Sequence, residues 1–161
     1  MFNLKAEFYL KIIFLFSFIA LISAFFIEYI LGHQPCNLCL IERIPYGLSI
    51  IIIMTIFLFK KNQKFLVMLL ILTFIFSFAI SFYHFGIEQG FFQESSICGV
   101  KSSSEIVSKE DLLKQLSEKT ISCKDVTFRI FGLSLAGINI GLSLILIIIL
   151  TKIFVRHEKN K

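Results

Sequence analysis

Apolar residues in this chain do not alternate with polar ones. They run in four long blocks separated by polar breaks. Residues 12–31 carry one charge, Glu28, and residues 40–59 carry two, Glu42 and Arg43, both near the start. Residues 65–87 carry none but include His84, and residues 130–151 carry none. A helix rises ~1.5 Å per residue and needs about 20 apolar residues to cross a hydrocarbon core about 30 Å thick. All four blocks meet that length. Strands rarely run so far, lipid excludes open sheet edges, and four segments cannot close a barrel. The pattern predicts an all-α membrane protein: one domain over residues 1–161, a four-helix transmembrane bundle with helices near 12–31, 40–59, 65–87 and 130–151. A short loop, about 32–39, and a long one, about 88–127, fall on the same side.

Composition agrees. Of 161 residues, 57% are hydrophobic and 17% charged, with 20 Phe and 2 Pro, and mean hydropathy is +0.85. Ordinary soluble domains are roughly 45–50% apolar and about 25% charged. A chain this short has too little interior to hide the excess, and disordered chains lack aromatic and branched apolar residues.

Charge sets the expected orientation. The side with both termini and the Lys60–Lys64 turn carries nine Lys and Arg against two Glu, and the loop side carries seven against nine acids. The positive-inside rule places the termini in the cytoplasm, so the net charge of +5 calls for no nucleic-acid partner. Lys5 and Lys11 before residues 12–24 resemble a signal peptide. However, the apolar run continues to Leu31, and Ile22 fits poorly where cleavage wants a small residue.

All 4 cysteines, Cys36, Cys39, Cys98 and Cys123, fall in or at the edge of the two outer loops. An even number on one face indicates an oxidising compartment, which in a bacterium is the periplasm. Cys36-Asn-Leu-Cys39 is a C-x-x-C, whereas Cys98 and Cys123 are far apart in a polar, water-exposed loop. Three readings compete: two structural disulfides, a metal site, or a redox pair of pairs. Zinc wants two such knuckles or added histidines at fixed spacing. Only one knuckle exists, so no metal is expected.

Position favours redox exchange. The C-x-x-C opens the second helix just after Pro35, where the positive end of the helix dipole stabilises a thiolate. Arg43 lies four residues after Cys39, on the same helical face. Its guanidinium stays charged and can support a sulfur anion or bond a ligand carbonyl. The blander alternative is an interfacial anchor paired with Glu42. Pro45 is expected to bend the helix or start its regular part.

These residues carry a resemblance. Gln34-Pro-Cys-Asn-Leu-Cys-Leu-Ile-Glu-Arg43 resembles the P-C-x-L-C-x-x-x-R signature of the DsbB family of bacterial disulfide-bond formation proteins. Tyr83-His-Phe-Gly-Ile-Glu-Gln-Gly90 resembles the end of that family's third helix. Phe128-Arg-Ile-Phe-Gly-Leu-Ser-Leu-Ala136, with Asn139, resembles the segment after its fourth cysteine. The family often has Trp in the second loop and at the fourth helix, but this chain has none and Phe128 takes one such place.

The resemblance implies a quinone-dependent protein-disulfide oxidoreductase of the bacterial inner membrane. It would reoxidise a periplasmic thioredoxin-like DsbA-type partner and pass electrons to ubiquinone or menaquinone. By analogy the partner attacks Cys98, Cys123 leaves and attacks Cys36, and Cys39 is released as a thiolate beside the quinone, with Arg43 supporting the charge. The second loop must then be mobile enough to reach the first. His84 is expected level with Cys39, bonding a quinone oxygen or serving as a satisfied interfacial histidine. Glu88, one turn on, pairs with it or faces water.

The rival from another class is a non-enzymatic four-helix scaffold with two structural disulfides. A vitamin-K-epoxide-reductase-like enzyme is a second rival, disfavoured because there the C-x-x-C follows the loop cysteines. Ser108-Lys-Glu-Asp111 resembles a capping box before a short surface helix. Gly132, Gly137 and Gly141 suggest close helix packing in the fourth span.

Overall fold

The computed structural model describes residues 4–59, 62–94, 98, 122–124, 129–130 and 132–159. The expected capping box at 108–111 and Phe128 lie outside them. The described elements are α1 (Leu4–Tyr29), α2 (Asn37–Ile41), α3 (Ile44–Leu58), α4 (Gln63–Glu88), β1 (Arg129–Ile130), β2 (Leu133–Ser134) and α5 (Leu135–Lys159). Four spans are long and apolar enough to cross a membrane: Ala6–Tyr29, Asn37–Leu58, Gln63–Glu88 and Leu135–Val155.

Packing fixes their alternation. At one end a core joins Leu10 and Ile13 of α1, Ile52 and Ile56 of α3, Val67 and Leu70 of α4, and Leu150 and Ile153 of α5. The start of α1 therefore meets the end of α3, the start of α4 and the end of α5, and neighbouring spans run antiparallel. At the opposite end Glu28, the cysteines, His84 and Asn139 gather.

The bundle is apolar outside and partly polar within. Phe18, Ile51, Phe76 and Ile145 are among many large side chains that face outward, as suits a protein whose surrounding solvent is hydrocarbon. The interior instead holds Ser17, Ser49, Ser77 and Ser143, all fully buried. Ser49 donates to Ser17 at 2.9 Å, tying α3 to α1, and Ser143 donates to Ser77 at 3.1 Å, tying α5 to α4. Lipid offers no hydrophobic drive between helices, so small residues and interhelical hydrogen bonds carry association.

Several boundaries differ from the expected ones, although Pro45 does start the regular part of the second span. The second span is broken: α2 ends at Ile41 and α3 begins at Ile44, with Pro45 in its first turn. A proline in the first helical turn forfeits no hydrogen bond, whereas it cannot accept continuation from the turn before. The fourth helix starts at Leu135 rather than 130, because β1 and β2 pair ahead of it, Arg129 with Ser134. Gly132 there takes a left-handed φ of +84°. Among the three glycines expected to permit close packing, Gly137 does so, since a Cβ there would lie 3.3 Å from Phe85. Gly132 serves the hairpin instead, and Gly141 has open space beside it. The first and third helices also run longer than their apolar cores, from Leu4 and Gln63.

The end of α4 leads the chain towards the cysteines. Phe91 N–H bonds Gly86 C=O at 2.8 Å and Gly90 N–H bonds Ile87 C=O at 3.0 Å, with Gly90 at a φ of +79°. This is a Schellman cap, whose left-handed position suits glycine. It folds Phe92 back over Gly86, where a Cβ would overlap the ring, and onto Tyr83, with ring centroids 5.6 Å apart.

Candidate functional site

The two cysteine pairs meet in one cluster. Cys36, Leu38, Ile87, Cys98 and Cys123 pack together as a small buried core, with Cys39 and Tyr83 against it. Cys98 is 1% exposed and Cys123 2%, and all four cysteines are thiols. Burial of Cys98 differs from the water-exposed position expected for it. The described residues around Cys98 and Cys123 already lie against the first loop, packed with Cys36 and Leu38. Glu94 helps hold this arrangement. Its carboxylate accepts from Ser122 Oγ and, at 2.9 Å, from the Lys124 backbone N–H, clamping both neighbours of Cys123.

Cys36 is the N-cap of α2. Its Sγ accepts from the Cys39 backbone N–H at 3.3 Å and lies 2.9 Å from Cys39 Sγ. His84, one helix away, brings Nε2 to 3.5 Å from the same sulfur. The hydrogen bond from the Cys39 thiol holds the Cys36 thiol well below its ordinary range, with His84 acting in the same direction against the opposing effect of burial. These contacts converge on Cys36. For Cys123 the balance is opposite: burial, then the bond with Cys98, pushes its thiol up.

Behind His84 runs a buried polar chain. Nδ1 lies 2.8 Å from Glu42 Oε1; a carboxylate only accepts, so Nδ1 carries the proton. Glu42 Oε2 accepts from Asn139 Nδ2 at 3.0 Å, and the same amide donates to Ser81 Oγ at 2.7 Å. Tyr46 O–H donates to Asn139 Oδ1. Segments α2, α3, α4 and α5 are thus joined through one glutamate and one asparagine.

A cavity of about 250 Å³ opens beside this cluster. Ala20, Ala24 and Ile27 of α1 and Ala136, Ile138 and Leu142 of α5 form its apolar walls. Cys36, Cys39, Glu42, Arg43, His84 and Glu88 form its polar end, and Cys123 also reaches it.

The chain matches the family of disulfide bond formation protein DsbB over residues 6–153. It belongs to the DsbB family. It is also 34% identical over 151 residues to the uncharacterized protein RP370 of Rickettsia prowazekii (strain Madrid E), covering 90% of this chain and 86% of that one. No solved structure matches it.

In this DsbB-family chain the residues singled out from sequence gather in one place, with partners that differ from those expected. Arg43 does not pair with Glu42. It pairs with Glu28 of α1 and stacks over the Phe25 ring at 5.2 Å, while still lining the cavity. The helix breaks between Cys39 and Arg43, so the shared helical face expected for them is replaced by a shared cavity. His84 is within reach of Cys36, and Glu88 faces inward, its Oε1 3.7 Å from His84 Nε2. Glu28, Glu42, Glu94 and Asn139 were not singled out as site residues. For Glu28 and Glu42 a signal existed, because a carboxylate inside an apolar span is costly unless it is paired or functional. Asn139 was marked by the family resemblance without a role, and for Glu94 only the fold supplies a signal.

Proposed function

We propose that this chain is a membrane thiol–disulfide oxidoreductase that reoxidises a periplasmic DsbA-like dithiol protein and passes the electrons to membrane quinone. The observation that carries the reading is the packing of Cys36, Cys98 and Cys123 in one buried core beside a cavity bounded by α1 and α5. Structural disulfides gain nothing from lying against one another, whereas exchange between two pairs requires it.

In the proposed cycle the partner's thiolate attacks Cys98 of a Cys98–Cys123 disulfide, and the partner's second thiol completes its own disulfide. Two electrons then rest on Cys98 and Cys123. The Cys123 sulfur attacks Cys36 of a Cys36–Cys39 disulfide and releases Cys39. Cys98 then displaces Cys36, which restores the first disulfide and leaves Cys36 and Cys39 reduced. The contacts of Cys36 with the Cys39 thiol and His84 stabilise the anion in that reduced form. Because Cys98 is buried, the partner's attack requires the segment holding it to part from α2.

The cavity suits a quinone headgroup. It is somewhat smaller than the roughly 300–1,000 Å³ of typical small-molecule sites, apolar on its walls and polar at the cysteine end. Arg43 and His84 would hold the ring oxygens, and the isoprenoid tail would leave between α1 and α5 into lipid. When bound, quinone supplies a two-electron, two-proton sink. The basic end of the bundle faces the cytoplasm and the cysteines face the periplasm of the inner membrane.

The test is quinone-dependent oxidation of a dithiol thioredoxin-like protein by the purified chain in detergent. Catalytic oxidation, abolished by Cys39→Ser, is expected. A folded protein that oxidises at most one equivalent of partner, with or without quinone, would instead fit a scaffold with structural disulfides.

A further inference from the structure

We propose that the reduced site binds a borderline-soft divalent cation, Zn²⁺ foremost, through Cys36, Cys39, His84 and Glu88. The ligating atoms of Cys36, Cys39 and His84 lie within 4.8 Å of one another. Glu88, on the same cavity wall, stands outside that group and reaches it as a fourth donor by a rotamer adjustment. Its side chain is 5% exposed and its Oε1 lies 3.7 Å from His84 Nε2. Its Oε2 is buried with no hydrogen-bond partner among the described residues. A buried carboxylate oxygen left unpaired is costly, and a cation at this point would satisfy it.

The surrounding contacts support the same ligand. Glu42 fixes His84 through Nδ1 at 2.8 Å, which leaves Nε2 for the metal and matches the carboxylate–histidine arrangement common behind zinc ligands. Two thiolates, an imidazole and a carboxylate favour Zn²⁺ over Mg²⁺ or Ca²⁺. Donors 2.0–2.3 Å from a tetrahedral zinc stand roughly 3.3–3.8 Å apart. The Cys36–His84 separation of 3.5 Å already fits, and the Cys36–Cys39 separation of 2.9 Å must widen by a rotamer adjustment. From sequence the site was invisible, since His84 is 45 residues from Cys39 in the chain and reaches it only through the fold.

Binding forms two metal–sulfur bonds and releases the remaining thiol proton, that of Cys39, with no electron transferred. It requires the dithiol form, because a Cys36–Cys39 disulfide removes both sulfur ligands. The metal therefore locks the enzyme reduced and blocks reoxidation. The binding itself needs only reduced Cys36 and Cys39, so it stands or falls separately from the quinone reading.

The test uses the full chain in detergent carrying Cys98→Ser and Cys123→Ser, so that Cys36 and Cys39 are the only thiols. Anaerobic Co²⁺ titration of the reduced protein should give a thiolate-to-cobalt charge-transfer band and tetrahedral d–d bands at one equivalent, both erased by Zn²⁺. The oxidised protein should give neither. His84→Gln and Glu88→Gln should each weaken Co²⁺ binding about tenfold or more and alter the d–d bands, and Glu42→Gln should weaken it about 10–100-fold. Absence of the charge-transfer band in the reduced protein would overturn the proposal. So would unchanged affinity and spectrum in both His84→Gln and Glu88→Gln, which would leave the two sulfurs binding metal alone.

Discussion

Replacing Asn139 by Leu tests whether the buried polar chain holds the helices together. The side chains are similar in volume, so little cavity is created, and Leu makes none of the three hydrogen bonds. Those bonds run to Glu42 Oε2 at 3.0 Å, to Ser81 Oγ at 2.7 Å and from the Tyr46 hydroxyl. Two routes give the magnitude. Interhelical hydrogen bonds in membrane proteins average about 0.6 kcal/mol each, so three give about 2 kcal/mol. Alternatively, Ser81 keeps its bond to Ser77 C=O and the Tyr46 hydroxyl can rotate to another acceptor, so the main orphan is Glu42 Oε2. One orphaned buried acceptor costs about 1–3 kcal/mol. The routes agree at about 2 kcal/mol. Tyr46→Phe removes one bond, keeps the ring contact with Phe74, and should cost about 0.6 kcal/mol. The double variant should lose less than the sum, because the two residues share a bond. Reversible unfolding by SDS in mixed micelles, followed by far-ultraviolet circular dichroism, gives all three values. An Asn139→Leu protein within about 0.5 kcal/mol of the parent would refute the idea that this chain couples α2 and α3 to α4 and α5.

Further outcomes follow from the same geometry. Arg43→Met removes the charge next to the cavity and the pair with Glu28; it should raise the apparent KM for quinone about tenfold or more with the fold kept, and unchanged quinone kinetics would exclude the role. Cys36, lowered to about 4, should stay ionised in the reduced protein from pH 8 down to about 5. Its alkylation rate should be nearly flat there, whereas an ordinary thiol slows about tenfold per pH unit. The stabilisation from that ionised form is present above the ordinary thiol pKa and is lost as pH falls towards 4. Phe91, 80% exposed beyond the end of α4, should as Phe91→Cys in a background lacking the native cysteines react with a membrane-impermeant maleimide on intact spheroplasts. Reaction only after the membrane is breached would invert the orientation.

Much of the fold was legible because lipid imposes a simple rule, that roughly 20 apolar residues make a span. The C-x-x-C, its place after Pro35 and the nearby Arg43 were legible because they are local in sequence. What escaped depended on tertiary partners. Glu42 and Arg43 are adjacent, and nothing local says that one turns to His84 and the other to Glu28. The break at Glu42–Arg43 looked like one continuous apolar helix, although Pro45 signalled a start. Arg129 to Ser134 reads as apolar span, yet Gly132 bends it into a hairpin before α5 begins. Burial of Cys98 was hidden because its loop is polar by composition, while its contacts are with Leu38 and Ile87. The serines inside the apolar blocks were a signal left unread: Ser17, Ser49, Ser77 and Ser143 are all buried within the bundle, since a buried hydroxyl in lipid seeks a partner across the interface.

The central claim is that the two cysteine pairs exchange electrons through Cys123 and Cys36. It is tested most directly in a protein carrying Cys39→Ser and Cys98→Ser, which leaves those two sulfurs without their usual partners. After mild oxidation and peptide mapping by mass spectrometry, the account predicts a Cys36–Cys123 disulfide within one chain as the main product. Cys36 and Cys123 remaining as separate thiols, or pairing only between chains, would contradict it.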